Sequence, residues 1–135
     1  MKYKFLPHTA DIKFRAYGKT LNEVFENSAL ALNSAFYEGK VKALEKKKIK
    51  VKGRDLESLM FRFLEELLFL YETENFLTSK IKVKVSKDNK LLEAETFGEK
   101  PKSPKGRGDI KAVTYNDMFV KKIKDKWISQ VVLDV

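Results

Sequence analysis

The chain has 135 residues, the size of one ordinary domain, with 43% hydrophobic and 35% charged residues. Ten Phe, five Tyr and one Trp are too many aromatics for a disordered chain, and the lack of cysteine excludes disulfides, thiolate metal sites and cysteine nucleophiles. The formal charge of +9 admits two readings, attraction to RNA or an acidic partner, or a solvated lysine-rich surface. From charge alone the second is favoured, because specific RNA binding leans on arginine and exposed aromatics and most basic residues here are lysines.

Met1-Lys2-Tyr3-Lys4-Phe5 has no apolar core of signal-peptide length. The longest apolar stretch, Leu67 to Tyr71, is far too short to span a bilayer. The expectation is a cytoplasmic protein with no membrane partner. Tyr3 to Leu6 reads as a short strand stopped by Pro7. Asp11 to Tyr17 alternates, with Ile12, Phe14 and Ala16 on one face and Lys13, Arg15 and Tyr17 on the other, and Gly18 ends it. Thr20-Leu21-Asn22-Glu23 is a capping-box pattern that opens a helix. Its apolar positions run Leu21, Val24, Phe25, Leu32 and Phe36, and Gly39 suits its stop.

Lys46 to Lys52 sets lysines against Ile49 and Val51, an amphipathic strand with a wet face. Asp55 is the candidate N-cap of a second helix reaching about Glu74. Apolar residues cover most of its circumference, which predicts a central core helix buried on several sides. Ile81 to Val85 pairs with Leu91 to Phe97 across a turn at Asp88-Asn89. Glu99 to Gly108 reads as a basic, mobile loop, with two prolines, two glycines, Lys100, Lys102, Lys105 and Arg107. Three short strands follow at Asp109–Tyr115, Phe119–Lys124 and Trp127–Asp134, turning at Asn116-Asp117-Met118 and at Asp125-Lys126. The expected fold class is α+β in a single domain over residues 1–135, with mostly antiparallel sheets packed around two helices, in the order βαβα followed by antiparallel strands.

A self-sufficient nucleotide-using enzyme normally shows a Walker-type loop, a GxGxxG turn, a histidine cluster or a nucleophile elbow, and this sequence shows none. What remains is acidic. Asp11 sits where a turn enters an apolar strand, and Asp134 sits in the last strand, although aspartate is a poor strand former. Brought together, two such carboxylates would repel unless a cation sat between them. Oxygen-only ligation suits a hard ion such as calcium or magnesium, and the terminal carboxylate of Val135 is an adjacent third donor. The competing reading has Asp11 capping a turn and Asp134 on a frayed chain end. A lone histidine, here His8, is most often a satisfied turn or core residue. Alternation sets Lys111 beside Asp109, Val113 and Tyr115, where it either approaches a phosphate or carboxylate or merely snorkels.

Taken in order, several blocks resemble the archease family. They are His8-Thr9-Ala10-Asp11, Thr20-Leu21-Asn22-Glu23-Val24-Phe25, Asp55-Leu56-Glu57-Ser58-Leu59 and Gly98-Glu99. Further on come Asp109-Ile110-Lys111-Ala112-Val113-Thr114-Tyr115, then Trp127 and Val132-Leu133-Asp134-Val135. No single block is specific, but the ordered set spans the chain. The resemblance implies a small cytosolic cofactor, not itself an enzyme, of the tRNA-splicing RNA ligase that joins cyclic-phosphate or 3′-phosphate ends to 5′-hydroxyl ends with GTP and manganese. Such a cofactor promotes the ligase's guanylylation and its multiple turnover. An older family proposal, kept as the alternative, is a chaperone-like or RNA-binding modulator of a tRNA methyltransferase. The resemblance also implies a divalent ion, calcium first, bound by Asp11, Asp134 and Val135. It implies ligase activation through Asp11, Lys111 and Asp134, with His8 and Asp109 in support. Many relatives carry histidine where this chain has Asn116, histidine in the loop where it reads Lys105-Gly106-Arg107-Gly108, and glutamate at Asp109. Those changes remove imidazole from that region and leave the acidic pair intact.

Overall fold

The computed structural model describes residues 1–8, 10–101 and 110–135. Two antiparallel sheets and two helices follow one another as β1 (Tyr3–Leu6), β2 (Ile12–Gly18), α1 (Leu21–Phe36), β3 (Glu45–Lys52), α2 (Leu56–Glu74), β4 (Leu77–Val85), β5 (Leu91–Glu99), β6 (Ala112–Ile123) and β7 (Lys126–Asp134). One sheet has the order β1-β2-β7-β6 and the other β3-β5-β4. The α+β class is as expected, and the two strands read before the first helix form the β1–β2 hairpin.

Alternation sets the faces. Phe14 and Ala16 of β2 are buried, as are Val131 and Leu133 of β7 beside them. Ile49, Ile81, Val83, Leu92 and Ala94 form the inner face of the second sheet. The helices join the two layers. Phe25 of α1 meets Phe63 of α2 with ring centroids 6.0 Å apart, both fully buried. Leu32, Leu64, Leu77 and Leu133 belong to the same core cluster.

The more enclosed helix is α1, not α2. Ala29, Ala31 and Ala35 are all buried, and small side chains let a helix approach its neighbours closely. It packs on β2 and lies along β4. There it closes the open edge of the second sheet with side chains: Asn22 accepts from the Val85 amide at 2.9 Å, Glu26 from Val83 at 2.9 Å and Asn33 from Thr78 at 2.8 Å. An uncovered edge strand would leave these amides free to pair with another chain. By contrast α2 leaves Phe69 55% exposed, so its all-round apolar sequence does not mean all-round burial. Two of its aromatics are satisfied by stacking instead, Phe61 on Tyr115 at 4.2 Å and Tyr71 on Phe36 at 4.4 Å.

Both helix starts carry the expected N-caps, although Glu23 accepts from the Lys19 amide at 3.2 Å and not from Thr20, so only the second box is complete. Thr20 accepts from the Glu23 amide at 3.1 Å. Asp55 accepts from the Ser58 amide at 2.8 Å, while Ser58 Oγ returns a bond to the Asp55 amide at 3.1 Å. The Ser58 amide bond, opposed by partial desolvation, holds the Asp55 carboxyl below the usual range. Asn75 in the left-handed region (φ 55°) ends α2. The Asp88-Asn89 turn forms and β4 pairs with β5 across it, as expected. However, β4 starts four residues earlier than the alternation suggested, because Leu77 and Thr78 are buried before a bulge between Thr78 and Lys80. At that bulge a Cβ on Gly98 would overlap the Leu77 carbonyl oxygen, so only glycine fits.

One strand boundary is corrected. Asn116-Asp117-Met118 does not turn the chain back; β6 is one strand running through an irregularity. The step from Thr114 to Phe119 faces the much shorter step from Val132 to Gln130. Gln130 holds the bulged segment by donating to the Asp117 carbonyl at 2.8 Å, and Asp117 takes φ 53°. The hairpin to β7 turns at Lys124-Asp125, one residue earlier than expected. The loop residues 102–108 lie outside the described residues, as does Asp109.

Candidate functional site

Three distant parts of the sequence meet at one end of the four-stranded sheet. β7 is a central strand, with β2 on one side and β6 on the other. Ile12 of β2 pairs with Leu133 of β7, so Asp11 and Asp134 each stand one position beyond that last pair, at the same end of the sheet. On the other flank Ala112 pairs with Asp134, and the Lys111 amide donates to the Asp134 carbonyl at 2.8 Å. Asp134 is thus held in β7 by its pairing with β6, which sets aside the frayed-end reading.

Asp11 is positioned by the turn before it. The non-glycine residue Ala10 takes φ 74°, an uncommon conformation that the surrounding structure must hold. The Asp11 side chain is 33% exposed, with Oδ2 3.6 Å from His8 Nδ1. That is too long for a firm hydrogen bond and short enough for an ion pair whenever the imidazole is protonated. Asp11 also lines an open depression of about 330 Å³ with Phe5, Ile12 and Lys13. Lys111 and Val135 are exposed.

The alternation expected through residues 109–115 holds only in part. Ile110 and Val113 are both buried, because β6 begins at Ala112 and the residues before it run off the ladder. Lys111 points to solvent, next to the acidic pair rather than inside the sheet.

Among the described residues no group of three His, Asp or Glu side chains converges as a closed metal cage. The oxygen-bearing side chains that the sequence reading named, Asp11 and Asp134, both lie at this sheet end. An all-oxygen, solvent-exposed set of this kind fits a hard cation that keeps several waters, and does not fit zinc.

The family model described as the Archease protein family (MTH1598/TM1083) matches residues 3–135. The chain belongs to the archease family. The protein archease of Pyrococcus furiosus is 42% identical, with 99% of each chain covered. That of Sulfurisphaera tokodaii is 39% identical, again over 99% of each. The solution structure of Methanobacterium thermoautotrophicum protein 1598 superposes with a TM-score of 0.86 at 36% identity, covering 99% of both chains. A crystal structure described as an archease, possible chaperone, from Thermotoga maritima has a TM-score of 0.63 at 21% identity over 98% and 96%, a likeness of fold. The archease resemblance read from the ordered blocks is therefore correct. Among the described residues no helix is long and apolar enough to cross a membrane.

A second group escaped the sequence reading. Arg54, Arg62 and Tyr115 line one open depression of about 360 Å³ with Lys52 and Ser58. Arg54 and Arg62 are eight positions apart in the sequence, across the start of α2, and Tyr115 comes from another sheet. Only the presence of two of the chain's four arginines in one short segment hinted at it.

Proposed function

We propose that this archease is the activating protein cofactor of a GTP-dependent tRNA-splicing RNA ligase and has no reaction of its own. The observation that supports this reading is that Asp11 and Asp134 lie at the same end of neighbouring strands, with the Lys111 amide bonded to the Asp134 carbonyl. Two carboxylates and a lysine without a phosphate cradle or a positioned base make too little for catalysis alone. They suit a group that completes another protein's charged site.

In this reading the sheet end docks beside the ligase's nucleotide. Asp11, Asp134 and Val135 would hold a divalent cation of the calcium type. Bound there, such an ion supplies charge that offsets the triphosphate. The Lys111 ammonium reaches a phosphate oxygen, where fixed positive charge favours nucleotidyl transfer. His8 limits the swing of the Asp11 carboxylate from its 3.6 Å position.

The test is RNA ligation at low ligase and excess RNA, with and without the protein. The expected result is a change from about one turnover per ligase to many, lost in Asp11→Ala and Asp134→Ala variants that keep the parent's circular dichroism. Calcium titration by calorimetry should show binding to the parent and none to either variant. Normal activation by both variants would overturn the assigned site. No activation of a verified, active ligase would turn the reading to a chaperone-like role, the wording attached to the Thermotoga maritima structure.

A further inference from the structure

The outer face of the second sheet concentrates positive charge by register. Lys48, Glu95 and Lys82 stand in one row across β3, β5 and β4, and Lys50, Glu93 and Lys84 in the next. A third row is Lys46, Phe97 and Lys80, and Lys52 extends the β3 column. Seven exposed lysines thus face two glutamates on three short strands. That excess of five is more than half of the chain's formal +9. Lys46 pairs with Glu95 at 3.3 Å, and Lys80 lies over the Phe97 ring at 5.3 Å. Lys48, Lys50, Lys52, Lys82 and Lys84 have no ion-pair partner among the described residues. Four of those five unpaired lysines, with the two glutamates, border an open depression of about 540 Å³.

The β3 column runs into an aromatic subsite. Lys52 also lines the depression that holds Arg54, Arg62 and Tyr115. Tyr115 has one face covered by Phe61 in a parallel stack, yet remains 51% exposed. Its pairing on Phe61 fixes the ring, which leaves a rigid platform beside two guanidinium groups.

We propose that this lysine face and the Arg54–Arg62–Tyr115 subsite together bind single-stranded RNA. Lysines at alternate positions of one strand repeat about every 6.6 Å, close to the spacing of successive phosphates along a nucleic-acid strand. A fixed, exposed aromatic ring beside arginine takes a splayed base, which a duplex does not offer. An acidic protein surface would use the charge but not the ring. The surface is separate from the acidic pair, yet Tyr115 lies only about 10 Å along β6 from Ala112, the partner of Asp134. An RNA end leaving the subsite therefore reaches the acidic end of the first sheet. The inference holds whether or not that end acts on a ligase, because its readout needs no ligase.

The experiment is fluorescence anisotropy of a labelled single-stranded RNA oligonucleotide with the full chain, from about 50 to 200 mM salt. With the five unpaired lysines engaged, the logarithmic salt slope should be about −3.5, from roughly 0.7 per phosphate contact. A Lys48→Gln, Lys50→Gln, Lys82→Gln variant should lose about 2 units of that slope. Tyr115→Ala should weaken binding by about 5- to 150-fold with the slope unchanged, the loss of one stacked base. A charge-matched control, Lys121→Gln, Lys122→Gln, Lys126→Gln, should bind like the parent. Absence of binding, an equal loss in the control, or no loss in Tyr115→Ala would overturn the proposal. So would competition by polyglutamate as effective as by unlabelled RNA, which would assign the face to an acidic protein.

Discussion

The two sheets place their polar chemistry in opposite ways. In the four-stranded sheet the chemistry lies at a strand end, where Asp11, Lys111 and Asp134 arrive from remote parts of the chain. In the three-stranded sheet it lies on a face, where alternate lysines of β3 and β4 project from strands that need only local alternation. A site at a strand end depends on register, since a slip of one residue would send Asp11 and Asp134 to opposite faces. A charged face tolerates such changes better, because neighbouring lysines substitute for one another. The acidic site should therefore respond steeply to single substitutions, and the basic face should respond in proportion to charge.

The largest effect should come from what the two sheets share. Phe63 is fully buried against Phe25 and joins both layers. Phe63→Ala should cost about 3–5 kcal/mol, and chemical denaturation followed by far-UV circular dichroism and by Trp127 fluorescence should shift together. Separate transitions would show that the sheets unfold as independent units. The next change addresses the second sheet alone. Gly98→Ala drives a methyl group into the Leu77 carbonyl and should cost about 1–3 kcal/mol, the range for overpacking. Hydrogen exchange should accelerate in β4 and β5 and stay protected in β2 and β7.

Smaller effects sharpen the contrast. Asp55→Ala removes the cap of α2 and should cost about 1 kcal/mol, a melting shift of roughly 3–5 °C. Its carboxyl is held below the usual range by the Ser58 amide. The ionised form therefore contributes above the unfolded value of about 3.9, and that contribution disappears as pH falls through the lower folded value. Parent and variant melting curves should converge in acid; a constant gap down to pH 2 would refute the capping account. Smallest is the exposed Lys46–Glu95 pair on the basic face. A double-mutant cycle should give about 0.2–1 kcal/mol, reduced further by salt.

Local signals in the sequence read out well where the chain's neighbours were also near in sequence. Thr20 and Asp55 announced both helices, and the Asp88-Asn89 turn fixed the β4–β5 pairing. The bulge at Asn116–Met118 looked like a turn because Asn and Asp serve both, whereas β6 pairs with β7 on both sides of it and Gln130 bonds to Asp117 across it. The apolar circumference of α2 suggested full burial, whereas two of its aromatics were destined for stacking partners that no periodicity reveals. The acidic pair was legible as chemistry, since aspartates at both ends of apolar strands stand out, but their adjacency was not.

By itself the sequence determined the elements, their faces and their family, because alternation, caps and ordered motif blocks are properties of neighbouring residues. Only the tertiary structure decided which faces meet. It set β7 between β2 and β6, so that Asp11 and Asp134 come to the same sheet end and Asp134 is held by β6. It turned the lysines of β3 and β4 onto one surface, and it brought Tyr115 to Arg54 and Arg62. The physical reason is that strand pairing joins residues up to the length of the chain apart, and the burial that selects one register belongs to the whole core rather than to any segment.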